Sequence, residues 1–292
     1  MSTSIPASGT SSRSPAGQVL ARLRRNRLAV ASLLLLGLLH LAAALAPWLA
    51  PHDPEAVALA ERLQPPSASH WLGTDEYGRD VLTRLLYGGR ISLAVGLTSM
   101  VVSMVLGVVI GAAAGYAGGL TDVLLMRVTD GMLSVPLFFI ALMALALLGA
   151  SMLNLVAVIA LSSWMTVARV VRAEVLRTRE LEFVAAARAI GCGGWRILAR
   201  HVVPQSIPSI TVAATLGVAY AILLETSLSF LGLGVQPPAA SWGNMLSGAR
   251  TYLRTVPGLA IFPGVLIFVT VLCYNWFGDG LRDAIDPTLA ER

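Results

Sequence analysis

The sequence predicts an all-α integral membrane protein of six transmembrane helices with both termini cytoplasmic, and three observations carry that expectation. Of the 292 residues 56% are hydrophobic and 13% charged, and mean hydropathy is +0.74, which leaves too few polar groups to solvate a soluble domain. Charge-free runs cover Leu28–His52, Ile91–Thr121, Gly131–Ala168, His201–Leu224 and Thr255–Gly278. A bilayer core about 30 Å thick takes roughly 20 apolar residues per helical crossing, so each run is long enough. The arginines gather unevenly: five lie in the N-terminal tail and seven, against three acids, in 169–200, whereas 51–90 holds four against six acids. Basic residues mark the cytoplasmic side, so the tail and the 169–200 connection belong there.

Residues 1–20, rich in Ser, Pro, Gly and Thr, read as a disordered cytoplasmic tail. The first transmembrane helix, in 21–50, crosses at about 28–49. Its apolar run is too long for a cleaved signal, and Pro47, Trp48 and Pro51 form no small-residue cleavage site, so it is retained. Residues 51–90 carry Pro51, Pro54, Pro65 and Pro66 and read as an extracytoplasmic segment. It closes in a short amphipathic helix around Asp75–Tyr87 lying on the outer membrane surface. Val81, Leu82, Leu85 and Leu86 line one side of it and Arg79, Asp80 and Arg84 the other.

A five-helix core fills 91–292, with crossings at about 92–115, 123–148, 153–171, 207–230 and 257–277. Gly149, Ala150, Ser151 and Asn154 mark the turn between the second and third of these. Gly107, Gly111 and Gly115, four residues apart, present one flat face to which another backbone can come close. The cytoplasmic connection 171–206 continues the preceding helix to about Thr178 and then forms a short helix from Glu182 to Ile190. Gly191, Gly193 and Gly194 end it, and a second stretch, Trp195–Val203, runs into Pro204. Phe183, Ala186, Ala187 and Ile190 share a face of the short helix, which suits either a groove on a partner or the membrane-helix ends. The extracytoplasmic residues 231–256, rich in Gly, Pro, Ser and Asn, suit a structured re-entrant loop or lid rather than another crossing.

Several functions are excluded or left without support. All 21 basic residues are Arg, so the chain has no lysine for a phosphate-binding loop or for Schiff-base chemistry, and energy from ATP has to enter through another chain. His40, His52, His70 and His201 show no metal-ligand spacing, and no metal or catalytic residue is expected. Cys192 and Cys273 fall in different compartments of the fold and predict no disulfide. The net charge of +5 comes from arginines flanking membrane spans, which speaks against nucleic-acid binding. Arg127 and Asp130 are spaced for a local pair, and Trp71, Trp164 and Trp242 for interface anchors. Glu225, an acid inside an apolar run, is a candidate for a translocation path, with local hydrogen bonding beside Thr226 and Ser227 as the alternative.

Three stretches carry a family resemblance. The first is His70-Trp71-Leu72-Gly73-Thr74-Asp75-Glu76-Tyr77-Gly78-Arg79-Asp80 with Arg84-Leu85-Leu86-Tyr87-Gly88-Gly89-Arg90. The second is Glu182-Phe183-Val184-Ala185-Ala186-Ala187-Arg188-Ala189-Ile190-Gly191 with Arg200-His201 and Pro204. The third is Leu228-Ser229-Phe230-Leu231-Gly232-Leu233-Gly234 through Trp242-Gly243, then Gly278-Asp279-Gly280-Leu281-Arg282-Asp283 and Asp286-Pro287. From Arg25 onward the chain resembles the inner-membrane permease subunits of dipeptide, oligopeptide and nickel ATP-binding-cassette importers, and in particular the dipeptide permease C-type subunit.

That resemblance implies the type I importer permease fold in the bacterial cytoplasmic membrane. It also implies a second homologous permease subunit, two cytoplasmic ATPase subunits holding ATP and Mg, and an extracytoplasmic substrate-binding protein. Glu182 to Gly191, with Pro204, would form the ATPase-coupling loop, gripped over 176–204. At its eponymous glutamate position this chain has Ala185, and Glu182, one turn earlier, is placed to supply the carboxylate instead. Asp75, Glu76, Arg79 and Asp80 stand where a binding protein would meet the membrane and are candidate docking charges. The implied cargo is a dipeptide or oligopeptide. Nickel, a metallophore or glutathione are alternatives within the family, and a channel or membrane-embedded enzyme is the alternative from another class.

Overall fold

The computed structural model describes residues 15–285. The expected tail over 1–14, and Asp286-Pro287 of the third family stretch, lie outside the described residues. Within them the chain is helical, and the lone β-bridge joins Thr74 to Asp80.

Helix α1 (Pro15–Arg25) begins inside the stretch expected to be disordered. Val19 and Leu23, four residues apart, share one side of it and are half-buried, and Arg22 Nη1 donates to Ala284 O near the far end of the chain (3.4 Å). Asn26 then interrupts the chain and caps α2 (Arg27–Ala44), its side chain accepting from Ala29 N at 3.1 Å. Pro47 sits in the one-turn helix α3 (Ala46–Leu49), beyond which the chain leaves the helical layer.

Helix α4 (Val81–Ala117) is 37 residues long, about 55 Å at 1.5 Å per residue. It absorbs the expected amphipathic helix: Asp75–Asp80 is a turn, and Val81–Tyr87 is the first two turns of α4, not a separate helix on the membrane surface. Asp80 caps the helix through Thr83 N (2.8 Å), and Val81, Arg84 and Leu85 are all buried there, Val81 and Leu85 in the main apolar cluster and Arg84 under the loops that carry Pro54 and Pro238.

Helices α5 (Gly119–Leu133) and α6 (Leu137–Leu148) replace the single straight span expected over 123–148, and they meet at 82°. Pro136 has no N–H to continue the ladder and disfavours helical geometry at Val135, which sets the break. Ser151 caps α7 (Met152–Thr178), which ends at the residue expected. Helix α8 (Glu182–Ala189) follows after a three-residue turn.

Helix α9 (Gly194–Ile197), a π turn over Leu198–Val202, and α10 (Val203–Phe230) form one continuous helix. Pro204 therefore does not end an element. It occupies the first turn of α10, where its missing N–H is tolerated because the preceding turn is widened, Val203 N reaching back to Leu198 O. Helix α11 (Trp242–Ala249) and α12 (Gly258–Ile285) complete the chain.

Among the described residues five helices are long and apolar enough to cross a membrane, or six when α5 and α6 count as one broken span. The α4–α7 seam is the most extensive helix pair, and α10 packs on α4, α7 and α12. The glycine stripe explains the seam. A Cβ on Gly107 would stand 2.5 Å from Val167 Cβ, one on Gly111 would overlap Ala168 O, and one on Gly115 would stand 2.9 Å from Val175 Cγ1. Close backbone approach of this kind is how helices associate where lipid offers no hydrophobic drive.

Candidate functional site

The two ends of α4 differ in kind. At its C-terminal end Arg179 Nη1 donates to Gly115 O (2.7 Å), fastening the start of the α8 loop to the bundle. Arg172 grips Asp122 through two bonds of 2.5 and 2.6 Å. Asp130 pairs with Arg169 at 2.5 Å rather than with Arg127 as its spacing suggested.

Helix α8 turns Val184 and Ala187 inward, where they pack in the same cluster as Ile197 and Leu198. Glu182, Phe183, Ala185, Ala186, Arg188, Ala189 and Ile190 all face outward, as does Pro204 beyond. Phe183 is 41% exposed and Ile190 81%, with Trp195 nearby in sequence at 79%. The face expected from spacing is thus corrected at one position, Ala187, which serves the loop's own packing. Gly191 ends the helix at φ +83°, with Cys192 N bonded to Ala187 O (3.1 Å) and Gly191 N to Arg188 O (3.0 Å). These two bonds form a Schellman cap, whose left-handed residue favours glycine.

Helix α8 hangs between α7 and the α9–α10 helix, and those same helices border a cavity of about 1110 Å³. Its polar wall includes Glu174, Arg177, Gln205, Ser209 and Arg282, and Tyr220 also lines it. Ser209 Oγ donates to Glu174 Oε1 (2.7 Å), tying α10 to α7 at that wall. In sequence, α8 is joined directly to α7 on one side and to the α9–α10 helix on the other, the two helices that border the cavity.

Glu225 does not line this cavity. It is 0% exposed, receiving Ser92 Oγ at 2.9 Å and Ser229 Oγ at 2.7 Å. Those hydroxyls accept in turn from Trp242 N (3.2 Å) and Val235 N (3.1 Å). The acid thus joins α4, α10, α11 and the 231–241 loop in a closed network. Trp242, expected at the interface, is buried against Gly88 and Gly89 and donates Nε1 to Leu85 O (3.0 Å). Trp164 is buried as well, and Trp71 alone of the three is exposed, at 69%.

At the N-terminal end of α4 the expected docking charges are mostly sealed. Asp75 Oδ1 accepts from the backbone of Tyr77 (2.8 Å) and Arg79 (3.0 Å), and Oδ2 from Arg79 Nε (2.7 Å), with Arg84 Nε at 3.4 Å. Asp75, Arg79, Asp80 and Arg84 are each no more than 8% exposed, and only Glu76 retains part of its surface. Arg84 also reaches Pro54 O and Pro238 O, joining the 51–80 segment to the 231–241 loop. Gly73 and Gly78 have φ of +77° and +76°, and a Cβ on either would overlap the backbone oxygen of Gln64 or Ala58.

Two of the four histidines that looked scattered come together. His52 and His70 stack with ring centroids 4.6 Å apart, and His70 Nδ1 lies 3.0 Å from Asp80 Oδ1 and Nε2 3.3 Å from Glu61 Oε2. The Asp80 carboxylate holds the His70 imidazole above the usual histidine range, against the opposing effect of burial, with Glu61 adding to the shift. Spacings of 18 and 10 residues gave no local signal for this grouping.

Comparison with known proteins matches this architecture. Residues 107–290 match the family described as binding-protein-dependent transport system inner membrane component, and residues 14–66 match the N-terminal transmembrane domain of oligopeptide transport permease C. The chain is 42% identical over 278 residues to the glutathione transport system permease protein GsiD of Pectobacterium atrosepticum, covering 95% of this chain and 92% of that one. It is 44% identical over 289 residues to a putative peptide permease protein of Brucella suis, covering 98% and 94%. It is 40% identical over 276 residues to the dipeptide transport system permease protein DppC of Alkalihalophilus pseudofirmus, covering 94% and 91%. With the family model spanning most of the helical core and these relatives matching end to end, the chain belongs to the inner-membrane components of binding-protein-dependent transport systems, as a non-catalytic, multi-pass permease subunit of an ATP-binding-cassette importer.

Proposed function

We propose that this subunit moves short peptides into the cytoplasm by alternating access, paired with a second homologous permease and driven by two ATPase subunits that hold ATP and Mg. The observation that carries the proposal is the outward apolar face of α8, Phe183 and Ile190, suspended from the two helices that line the 1110 Å³ cavity. Such a face suits a groove on a partner, and closure of two ATPases would then tilt α7 and α10 together. The arginine-rich 169–200 segment and both termini are cytoplasmic in this reading, and 51–80 with α11 faces outward toward a substrate-binding protein.

Peptide cargo is supported by the names of two of the relatives, and glutathione, itself a tripeptide, by the third. The assembled complex in lipid nanodiscs, supplied with its binding protein, tests this. Dipeptides, longer peptides or glutathione should stimulate ATP turnover, whereas stimulation by nickel salts alone would overturn the peptide assignment.

A further inference from the structure

The 51–80 segment folds back so that His52, His70 and Asp80 bring one ligand atom each within 4.8 Å of one another. A tetrahedral zinc ion with bonds near 2.0–2.1 Å needs ligand atoms roughly 3.3 Å apart. Two of the three edges bracket that figure, His70 Nδ1 to Asp80 Oδ1 at 3.0 Å and His52 Nδ1 to Asp80 Oδ1 at 3.8 Å, and the third, between the histidines, is within 4.8 Å. For the three groups to converge on one ion the His52 ring has to turn out of its stack on His70; its side chain is 37% exposed, while those of Asp80 and His70 are 0% and 8% exposed.

The surroundings are those of a metal ligand set as well. Asp80 Oδ2 is held by Thr83 N at 2.8 Å, which leaves Oδ1 for the ion. The far nitrogen of His70, Nε2, faces Glu61 Oε2 at 3.3 Å, the carboxylate partner that fixes ring orientation and raises ligand basicity in metal-binding histidines. The backbone of His70 is anchored by Ser67 Oγ at 3.0 Å. Two imidazoles with one carboxylate select a transition ion such as Zn²⁺ over Ca²⁺ or Mg²⁺.

We propose that His52, His70 and Asp80 bind one resident Zn²⁺ ion, with water in the fourth position, which staples the 51–80 segment to the start of α4. The ion is structural and is not the cargo of the importer. Zn²⁺ takes the place of the hydrogen bond between His70 Nδ1 and Asp80 Oδ1, and any proton it carried leaves to solvent.

The test uses the purified complex, stripped with a chelator and titrated with Zn²⁺ against a competing chromophoric chelator. Wild type should bind one more Zn²⁺ per copy of this chain than His52→Ala does, and Co²⁺ in its place should give the visible absorption of a four-coordinate site. Glu61→Gln should weaken that site by about 10–100-fold. The difference in zinc between wild type and variant complexes decides, since it cancels any metal held elsewhere in the complex. Equal zinc in wild type and His52→Ala, or a site filled only at millimolar Zn²⁺, would overturn the proposal. Should His70 or Asp80 variants fail to accumulate, His52→Ala still decides, since His52 is the most exposed of the three ligands and its ring stacks on His70 outside the helical core.

Discussion

The two ends of α4 solve opposite problems with the same residue types. At the N-terminal end six charged side chains, Glu61, Asp75, Glu76, Arg79, Asp80 and Arg84, are folded onto one another and onto backbone, and most are shielded from solvent. At the α8 end apolar side chains are left in the open, while the charges around them form pairs such as Arg177–Glu174 and Arg179–Glu180 that stay partly exposed. A region that is internally complete gains little from a partner. One that exposes Phe183 and Ile190 on the short helix α8, with Trp195 on the α9 turn beyond it, is finished only by something that covers them.

The largest expected effect tests the closed end. Asp75→Ala strands Arg79 and Arg84 without their shared carboxylate, and breaking a buried pair from one side costs about 3–5 kcal/mol. The subunit should fail to accumulate in the membrane, or unfold at markedly lower temperature in detergent. If it accumulates normally and loses only stimulation by the binding protein, the turn is the docking surface its charge pattern suggests, and the contrast between the ends fails.

Glu225 comes next. Glu225→Leu leaves the Ser92 and Ser229 hydroxyls buried without their acceptor, at about 1–3 kcal/mol each. Glu225→Gln, which keeps an acceptor oxygen, should be much milder. Both variants, once assembled, should transport the same range of solutes, measured as ATP turnover against a panel of peptides. A change in cargo preference with unchanged stability would return Glu225 to the translocation path.

The α8 end was far more legible in the sequence than the other. The end of α7 at Thr178, the start of α8 at Glu182 and the stop at Gly191 follow from helical periodicity and glycine capping, which are local signals. The seam glycines were legible for the same reason. Burial of Asp75, Arg79 and Asp80 was not, since a run of alternating charge reads as solvated until the loops that cover it are known. The stacking of His52 on His70 and the ties of Arg84 to Pro54 and Pro238 bring together residues far apart in the chain. Pro136 was visible, yet a proline in a membrane helix is compatible with a kink or a full break, and packing of α6 against α7 accompanies the 82° turn.

A smaller effect is expected at the open end. Phe183→Glu combined with Ile190→Glu changes side chains on the outward face of α8, so accumulation and thermal stability should stay close to wild type. Association with the ATPase pair, measured by co-purification across a dilution series, should weaken by about 30-fold, the range of a central apolar anchor of roughly 2 kcal/mol. Ala187→Glu is the control that separates packing from docking. Ala187 is turned inward, so that variant should destabilise the loop itself and lower accumulation. Indistinguishable behaviour of the two variants would mean that the outward face has no role of its own.

The smallest effect concerns the carboxylate. Glu182 opens α8 and Ala185 follows one turn later, both exposed on the outward side. A carboxylate in the first turn of a helix gains from the helix dipole whether or not a partner is present, and an exposed contact to a partner cation is screened by salt. Glu182→Ala should therefore weaken ATPase association by no more than about fivefold, with the loss shrinking as ionic strength rises. Ala185→Glu should be tolerated in the wild type and should restore association in the Glu182→Ala background, because it returns a negative charge to the same side of the helix. A rescue that occurs at low salt and fades at high salt identifies the charge as the shared element. A loss that Ala185→Glu cannot rescue would show that Glu182 acts by its position at the helix start, through the stability of α8, and that this loop docks by shape alone.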